Sequence, residues 1–186
     1  QFLELFEVAK ASGRYDLAAL GRARSGALAF YFGLETSFDI FDEALALLER
    51  CPNPRIGAEI LFDQSTAELK RGRLRAALSL REKSEALFRS AGDVVAGGII
   101  RSYIGRLCVG AGRVEEGLAH CRASLAIVEE VNFTAGVRRT LTHLGRAELA
   151  AGNAEAARRH LERALALHRL IGDVQSEGRS LTAIAD

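Results

Sequence analysis

Histidines and cysteines have the most versatile chemistry in this chain, and their spacing decides what they can do. The histidines are His120, His143, His160 and His168. His160 and His168 are eight residues apart, about 12 Å along a helix axis and too far to share one metal ion. No two histidines stand at i and i+4, the spacing that puts a ligand pair on one helix face. No metal site and no cofactor is therefore expected. The run GAGRVEEG (110–117) has glycines, but it lacks the preceding strand and the G-x-G-x-x-G spacing of a dinucleotide loop. It reads as a break between two helices. Cys51, Cys108 and Cys121 are odd in number and irregular in spacing, which is no disulfide framework, and a reducing cytoplasm is the simplest setting. Catalysis has little to stand on, so no catalytic residue is assigned and the chain is not read as an enzyme.

Composition narrows the class further. The 186 residues are 48% hydrophobic and 26% charged, with 25 Lys and Arg against 24 Asp and Glu. A formal charge of +1 supports neither nucleic-acid nor membrane binding through bulk charge. The two prolines and few aromatic residues, beside much Ala, Leu, Arg and Glu, favour helix throughout. No apolar run approaches the roughly 20 residues that a membrane helix requires. The chain opens on Gln1 and stops at SLTAIAD in the middle of a helical pattern, so it is expected to be a piece of a longer protein.

The elements that would position any functional residue follow from an internal repeat. A shift of 40 residues brings Pro52, Gly92, Asn132 and Gly172 into one column, and Gly72, Gly112 and Gly152 into another, with Gly33 one residue from it. Small residues recur at Ser25, Ser65, Gly105 and Gly145, at Ser37, Ala77, Gly117 and Ala157, and at Ala44, Ser84, Ser124 and Ala164. Each period reads as two helices, the first ending where Gly can take a left-handed cap and the second at a turn such as GD. The small columns mark helix crossings, where a larger side chain would force the axes beyond about 8–10 Å. One hairpin cannot bury its apolar faces alone, so hairpins stack on their neighbours.

The segment LGRAELAAGNAEAARRHLERALAL (144–167) carries Leu144, Gly145, Gly152, Ala157 and Ala164 at the positions that mark the crossings in the tetratricopeptide repeat, and the pattern resembles that family. The copy IGRLCVGAGRVEEGLAHCRASLAI places Gly117 and Ser124 where the alanines stand, and the copy at 64–87 has Gln64 and Ser65 in place of Leu-Gly. The usual repeat is about 34 residues. The 40-residue form is similar to repeats of bacterial signalling and transcription regulators, polarity scaffolds and kinesin light chains. The resemblance implies an all-α solenoid of stacked antiparallel helix pairs over a single domain, 1–186. About four full repeats are expected, near 15–51, 55–91, 95–131 and 135–171, with truncated helices at both ends. It also implies that Cys108 and Cys121 are neighbours across their hairpin, and that Glu68 meets Arg81 across theirs as an ion pair.

In such an array the first helix of each pair lines an inner face, and that face is where binding is expected. Its candidate residues are Arg22, Gly26 and Phe30; Glu59, Phe62, Asp63, Thr66 and Lys70; Ile99, Ser102, Tyr103 and Arg106; and Arg139, Thr142, His143 and Arg146. Arg forks suit carboxylates and an aromatic ring supplies contact area, so an acidic or carboxylate-terminated peptide fits the Arg106, Arg139 and Arg146 group. The Asn and Lys carboxylate clamp of chaperone-binding members is not matched. The function expected is a protein- or peptide-binding module of a larger bacterial regulator. Alternatives are a spacer or homo-oligomer built through exposed repeat ends, and a small-molecule effector sensor. The basic runs RGRLR and VRRT have acidic neighbours such as Glu68 and Glu82 and read as solvated surface, with no direct nucleic-acid contact.

Overall fold

The computed structural model describes residues 2–32 and 39–170. Among the described residues there are nine helices and no strand: α1 Phe2–Ala11, α2 Tyr15–Tyr31, α3 Asp39–Leu48, α4 Pro54–Lys70, α5 Leu74–Ser90, α6 Val94–Gly110, α7 Val114–Glu130, α8 Thr134–Ala150 and α9 Ala154–Leu170. The fold class is all-α, built of paired helices. A helix expected from about residue 174, and the column members Gly33, Ser37 and Gly172, lie outside the described residues.

Turn chemistry sets the helix lengths. Gly72, Gly92, Gly112 and Gly152 take φ of +75°, +73°, +79° and +80°, a conformation that costs a residue with Cβ but not Gly. In each of these turns the next amide reaches back five residues, as Arg113 N–H does to the Cys108 carbonyl at 2.8 Å and Asn153 N–H to that of Glu148 at 2.9 Å. Carbonyls left open by the last helical turn are satisfied in this way. Asn132 fills the same role at φ +52°, tolerable because Asn is the side-chain-bearing residue most at ease there. Pro52 stands in this column before α4 and cannot take positive φ. That junction is closed by Asn53, whose side-chain oxygen accepts from Ile56 N–H at 3.2 Å, with Pro54 in the first turn.

The chain divides into two compact units, residues 1–93 and 94–186. In the first, α1 packs on α2, α2 on α3 and α4, and α4 on α5. Its core gathers Ala19, Ala23, Phe41, Ala44, Ile56, Ile60 and Ala67. In the second, α6 packs on α7, α7 on α8, α8 on α9, and α6 on α8. Leu118, Cys121, Leu144 and Ala147 form one cluster there, and Val128, Val137, Leu141 and Ala164 another.

The small columns are where paired helices cross. A Cβ on Gly105 would lie 2.6 Å from the Gly117 carbonyl oxygen, and one on Gly117 would lie 2.7 Å from that of Gly105. A Cβ on Gly145 would meet Leu161 at 2.6 Å. The equivalent Ser65 solves the crossing differently, its buried hydroxyl donating to the Ala77 carbonyl at 2.9 Å. Gly105→Ala is expected to lower unfolding stability by about 1–3 kcal/mol through overpacking. Gly110→Ala, where an added Cβ meets nothing within 4 Å, should instead raise it by about 0.5–1 kcal/mol. Denaturant titration of the two variants distinguishes crossing from propensity, and equal effects would count against the crossing.

Candidate functional site

In the first unit the candidate residues are largely engaged within the fold. Arg22 pairs with Glu43 of α3 at 2.7 Å and lies 5.9 Å from the Phe6 ring. Phe62 is half-buried beneath the Arg81 guanidinium, whose carbon is 4.0 Å from the ring centroid. Arg81, only 2% exposed, donates from Nε to Ser65 Oγ at 2.8 Å and from Nη2 to Thr66 Oγ1 at 3.1 Å. Glu68 pairs with Arg73 at 3.5 Å, so the expected Glu68–Arg81 ion pair is not formed, the Arg81 guanidinium turning to the Ser65 and Thr66 hydroxyls instead. Lys70 is exposed, its Nζ 5.6 Å from the Phe30 ring and 4.8 Å from that of Tyr31. Gly26, expected on the open face, is buried: a Cβ there would strike Ile40 at 2.6 Å, so it is a packing contact.

Arg24 holds two acids of α4 at once, donating to Asp63 at 2.8 Å and to Glu59 at 2.9 Å. Burial pushes the Asp63 carboxyl up to about 6, against the pull of Arg24 and with the Glu59 charge adding to the rise. Desolvation outweighs the pairing here.

The second unit brings most of its candidates together across α6 and α8. The rings of Tyr103 and His143 meet edge to face with centroids 5.1 Å apart. Arg139 lies over the Tyr103 ring at 5.5 Å. Arg106 is half-buried, Arg139 and Arg146 are exposed. Burial depresses the Arg106 guanidinium below its ordinary value; the Tyr103 oxygen opposes this and the Arg146 charge adds to it. Among the described residues, none of these three arginines is paired with a carboxylate. Arg122, by contrast, holds Glu148 at 2.9 Å and Arg163 holds Glu129 at 2.6 Å.

Two candidates are not surface residues in the way expected. Ser102 is fully buried. Its hydroxyl donates to the Ile99 carbonyl at 2.9 Å and lies 3.1 Å from His143 Nδ1. Ser102 thus orients His143 from beneath. Thr142 is half-buried and donates to the Arg138 carbonyl at 3.1 Å, with His168 Nε2 at 3.5 Å. The column of 40 residues places Ser102 on α6, but it does not show that Ile99 and His143 enclose its hydroxyl.

Cys108 and Cys121 are buried free thiols. Burial, and then the neighbouring Cys108, push the Cys121 thiol up to about 12, which leaves it protonated and unreactive. Its S–H points to the Ser102 carbonyl at 3.8 Å. A cluster outside the sequence-derived site lies nearby: donor atoms of Cys108, Glu116 and His120 fall within 4.8 Å of one another. The spacing that marks it is Glu116 to His120 at i and i+4, a mixed pair that a search for paired histidines passes over. Separately, an open hollow of about 300 Å³ is lined by Glu129, Asn132, Thr134, Val137, Arg163 and Leu167 and contains none of the expected site residues.

Residues 98–169 match the family model of the tetratricopeptide repeat, a repeat that in general serves as a protein-interaction scaffold. No curated protein matches the chain. Solved structures share its fold. One is a Signal Transduction ATPase with Numerous Domains protein with a tetratricopeptide repeat sensor from Pyrococcus horikoshii, at a TM-score of 0.83 and 13% identity over 98% of this chain and 28% of that one. Another is BtubC from P. vanneervenii, at 0.74 and 14% over 98% and 78%. A third is a Rap protein complexed with Competence and Sporulation Factor, at 0.71 and 14% over 91% and 47%. The chain therefore spans little more than a quarter of the first of these proteins. Among the described residues no helix is long and apolar enough to cross a membrane.

Asp63 supplies a pH test. Its folded value of about 6 lies above the ordinary 3.8, so its contribution is full when protonated and is lost as pH rises through the folded value. Relative to the parent, Asp63→Asn should gain stability from about pH 4 to about pH 7, by up to ~3 kcal/mol. Thermal or urea melts of both proteins across that range check it. A difference that stays constant would mean that Arg24 offsets the burial in full.

Proposed function

We propose that this chain is a protein- or peptide-binding module of a larger bacterial regulator, with no catalytic activity of its own. The α6–α8 face of the second unit receives an acidic segment or a terminal carboxylate. One observation carries the reading: Arg139 lies over the Tyr103 ring, which meets His143 edge to face, and Arg106 is near enough to Tyr103 and Arg146 to feel both, while none of the three arginines has a carboxylate partner among the described residues. A guanidinium fork takes a carboxylate through two parallel hydrogen bonds, and the mutual repulsion of Arg106 and Arg146 is relieved when an anion arrives. Tyr103 and His143, the latter held by Ser102, supply aromatic contact area beside these charges. Residues 1–186 act as one repeat domain of a cytoplasmic protein, with repeats near 15–51, 55–91, 95–131 and 135–171. Direct nucleic-acid binding is not part of this role.

The regulatory setting is supported by the kinds of protein that share the fold: one is a signal transduction ATPase with a tetratricopeptide repeat sensor, and one is a Rap protein complexed with Competence and Sporulation Factor. A second reading, self-association, is favoured by α1, where Leu3, Leu5 and Val8 are 57%, 43% and 67% exposed. Light scattering that shows a concentration-dependent dimer, lost in Leu3→Lys with Val8→Lys, would support that reading in place of the first.

An array of acidic peptides with free or amidated C-termini, followed by calorimetry on the best binder, tests the main reading. Binding should weaken with added salt. It should fall by at least about 10-fold in the Arg106→Glu, Tyr103→Ala, Arg146→Glu triple variant. Binding that survives the triple change would refute this face as the site.

A further inference from the structure

From the geometry of the α6–α7 hairpin we infer a binding site for a borderline-soft divalent cation, zinc in the first instance, formed by Cys108, Glu116 and His120. Cys108 lies in the last turns of α6, and Glu116 and His120 stand one turn apart on α7. The thiol sulfur, a carboxylate oxygen and an imidazole nitrogen all fall within 4.8 Å of one another, with His120 Nε2 and Glu116 Oε1 3.9 Å apart. Around a tetrahedral zinc, with Zn–S of about 2.3 Å and Zn–N and Zn–O of about 2.0–2.2 Å, neighbouring donors lie roughly 3.4–3.7 Å apart. The donors must therefore draw in by about 1 Å at most to meet one ion.

The donor set selects the ion. A thiolate with an imidazole favours zinc and its neighbours over magnesium or calcium, which take oxygen ligands. Three protein ligands leave a fourth position for water or for a side chain from a partner. Cys108 is fully buried while Glu116 and His120 are partly exposed, at 41% and 30% of their side chains, so an ion enters from the α7 side and meets the sulfur last. On binding, Cys108 gives up its proton to solvent and the Cys108 sulfur–metal bond forms. No electron is transferred.

The two helices are already fixed in register here. The Gly105–Gly117 crossing lies one turn below, and the Arg113 N–H to Cys108 carbonyl bond closes the turn above. Ligands presented by a preformed hairpin need little ordering on binding. The competitor is Arg113, whose Nε donates to Glu116 at 2.7 Å. A bound cation takes Glu116 from Arg113, so this arginine sets the affinity.

Cobalt(II) titration of the reduced full chain, followed by displacement with zinc, tests the site. The expected result is one cobalt per chain with thiolate-to-cobalt charge-transfer absorption. Cys108→Ser removes that band, and Cys121→Ser and Cys51→Ser leave it. His120→Gln and Glu116→Gln, at partly exposed positions that the fold tolerates, should each weaken binding by at least about 10-fold, the lower end of what losing even an outer-shell partner does. Arg113→Ala should tighten it. Absence of the band in the parent protein would overturn the inference. So would a band that persists in folded Cys108→Ser, or affinities unchanged in both His120→Gln and Glu116→Gln.

Discussion

Where α6 crosses α7, Gly105 and Gly117 each leave space for the other's carbonyl oxygen, with the Cys121 sulfur and the Val109 side chain filling the rest of the crossing. At α8 and α9, Gly145 lies under Leu161 and against the Ala157 carbonyl, and at α4 and α5 Ser65 hydrogen-bonds the Ala77 carbonyl. These crossings set how near the helices of each pair can lie, and so which residues can meet from one helix to the next. Cys108 reaches Glu116 and His120 because of this closeness. The turns matter less to the spacing than to the length: a left-handed residue two positions beyond each of α4 through α8 stops it at 17 residues.

The same structural positions carry opposite chemistry in the two units. Glu59 and Asp63 of α4 correspond, at shifts of 40 residues, to Ile99 and Tyr103 of α6 and to Arg139 and His143 of α8. In the first unit Arg24 is neutralised by those two acids. In the second the acids are replaced, and Arg106, Arg139 and Arg146 are left with an aromatic pair for company. The repeat supplies the scaffold, and substitution within its columns supplies what distinguishes one surface from another.

Much of this was legible in the sequence because the period is strict. Glycine and small-residue columns located the helices, whose observed bounds fall within a residue or two of those positions, and the Tyr103, His143 and arginine group follows from stacking equivalent helices. What escaped was decided by local burial and by distant partners. Ser102 and Thr142 share a column, yet Ser102 is fully buried and Thr142 half-buried. Arg22 looked free for a ligand until Glu43, 21 residues on, was found against it. Gly26 read as open because nothing in a one-dimensional pattern shows that Ile40 fills the space over it. The Cys108, Glu116 and His120 cluster spans two helices and three residue types, so no single spacing rule announces it.

The three thiols also differ in a way an experimenter can use. Cys51 in the first unit is half-buried, whereas Cys108 and Cys121 in the second are buried beyond the reach of a reagent larger than a metal ion. A small alkylating reagent therefore marks Cys51 in the folded molecule and reaches the other pair only when that half opens. Mass spectrometry of the modified chain thereby clocks the breathing of one half separately from the other, with no mutation or attached dye.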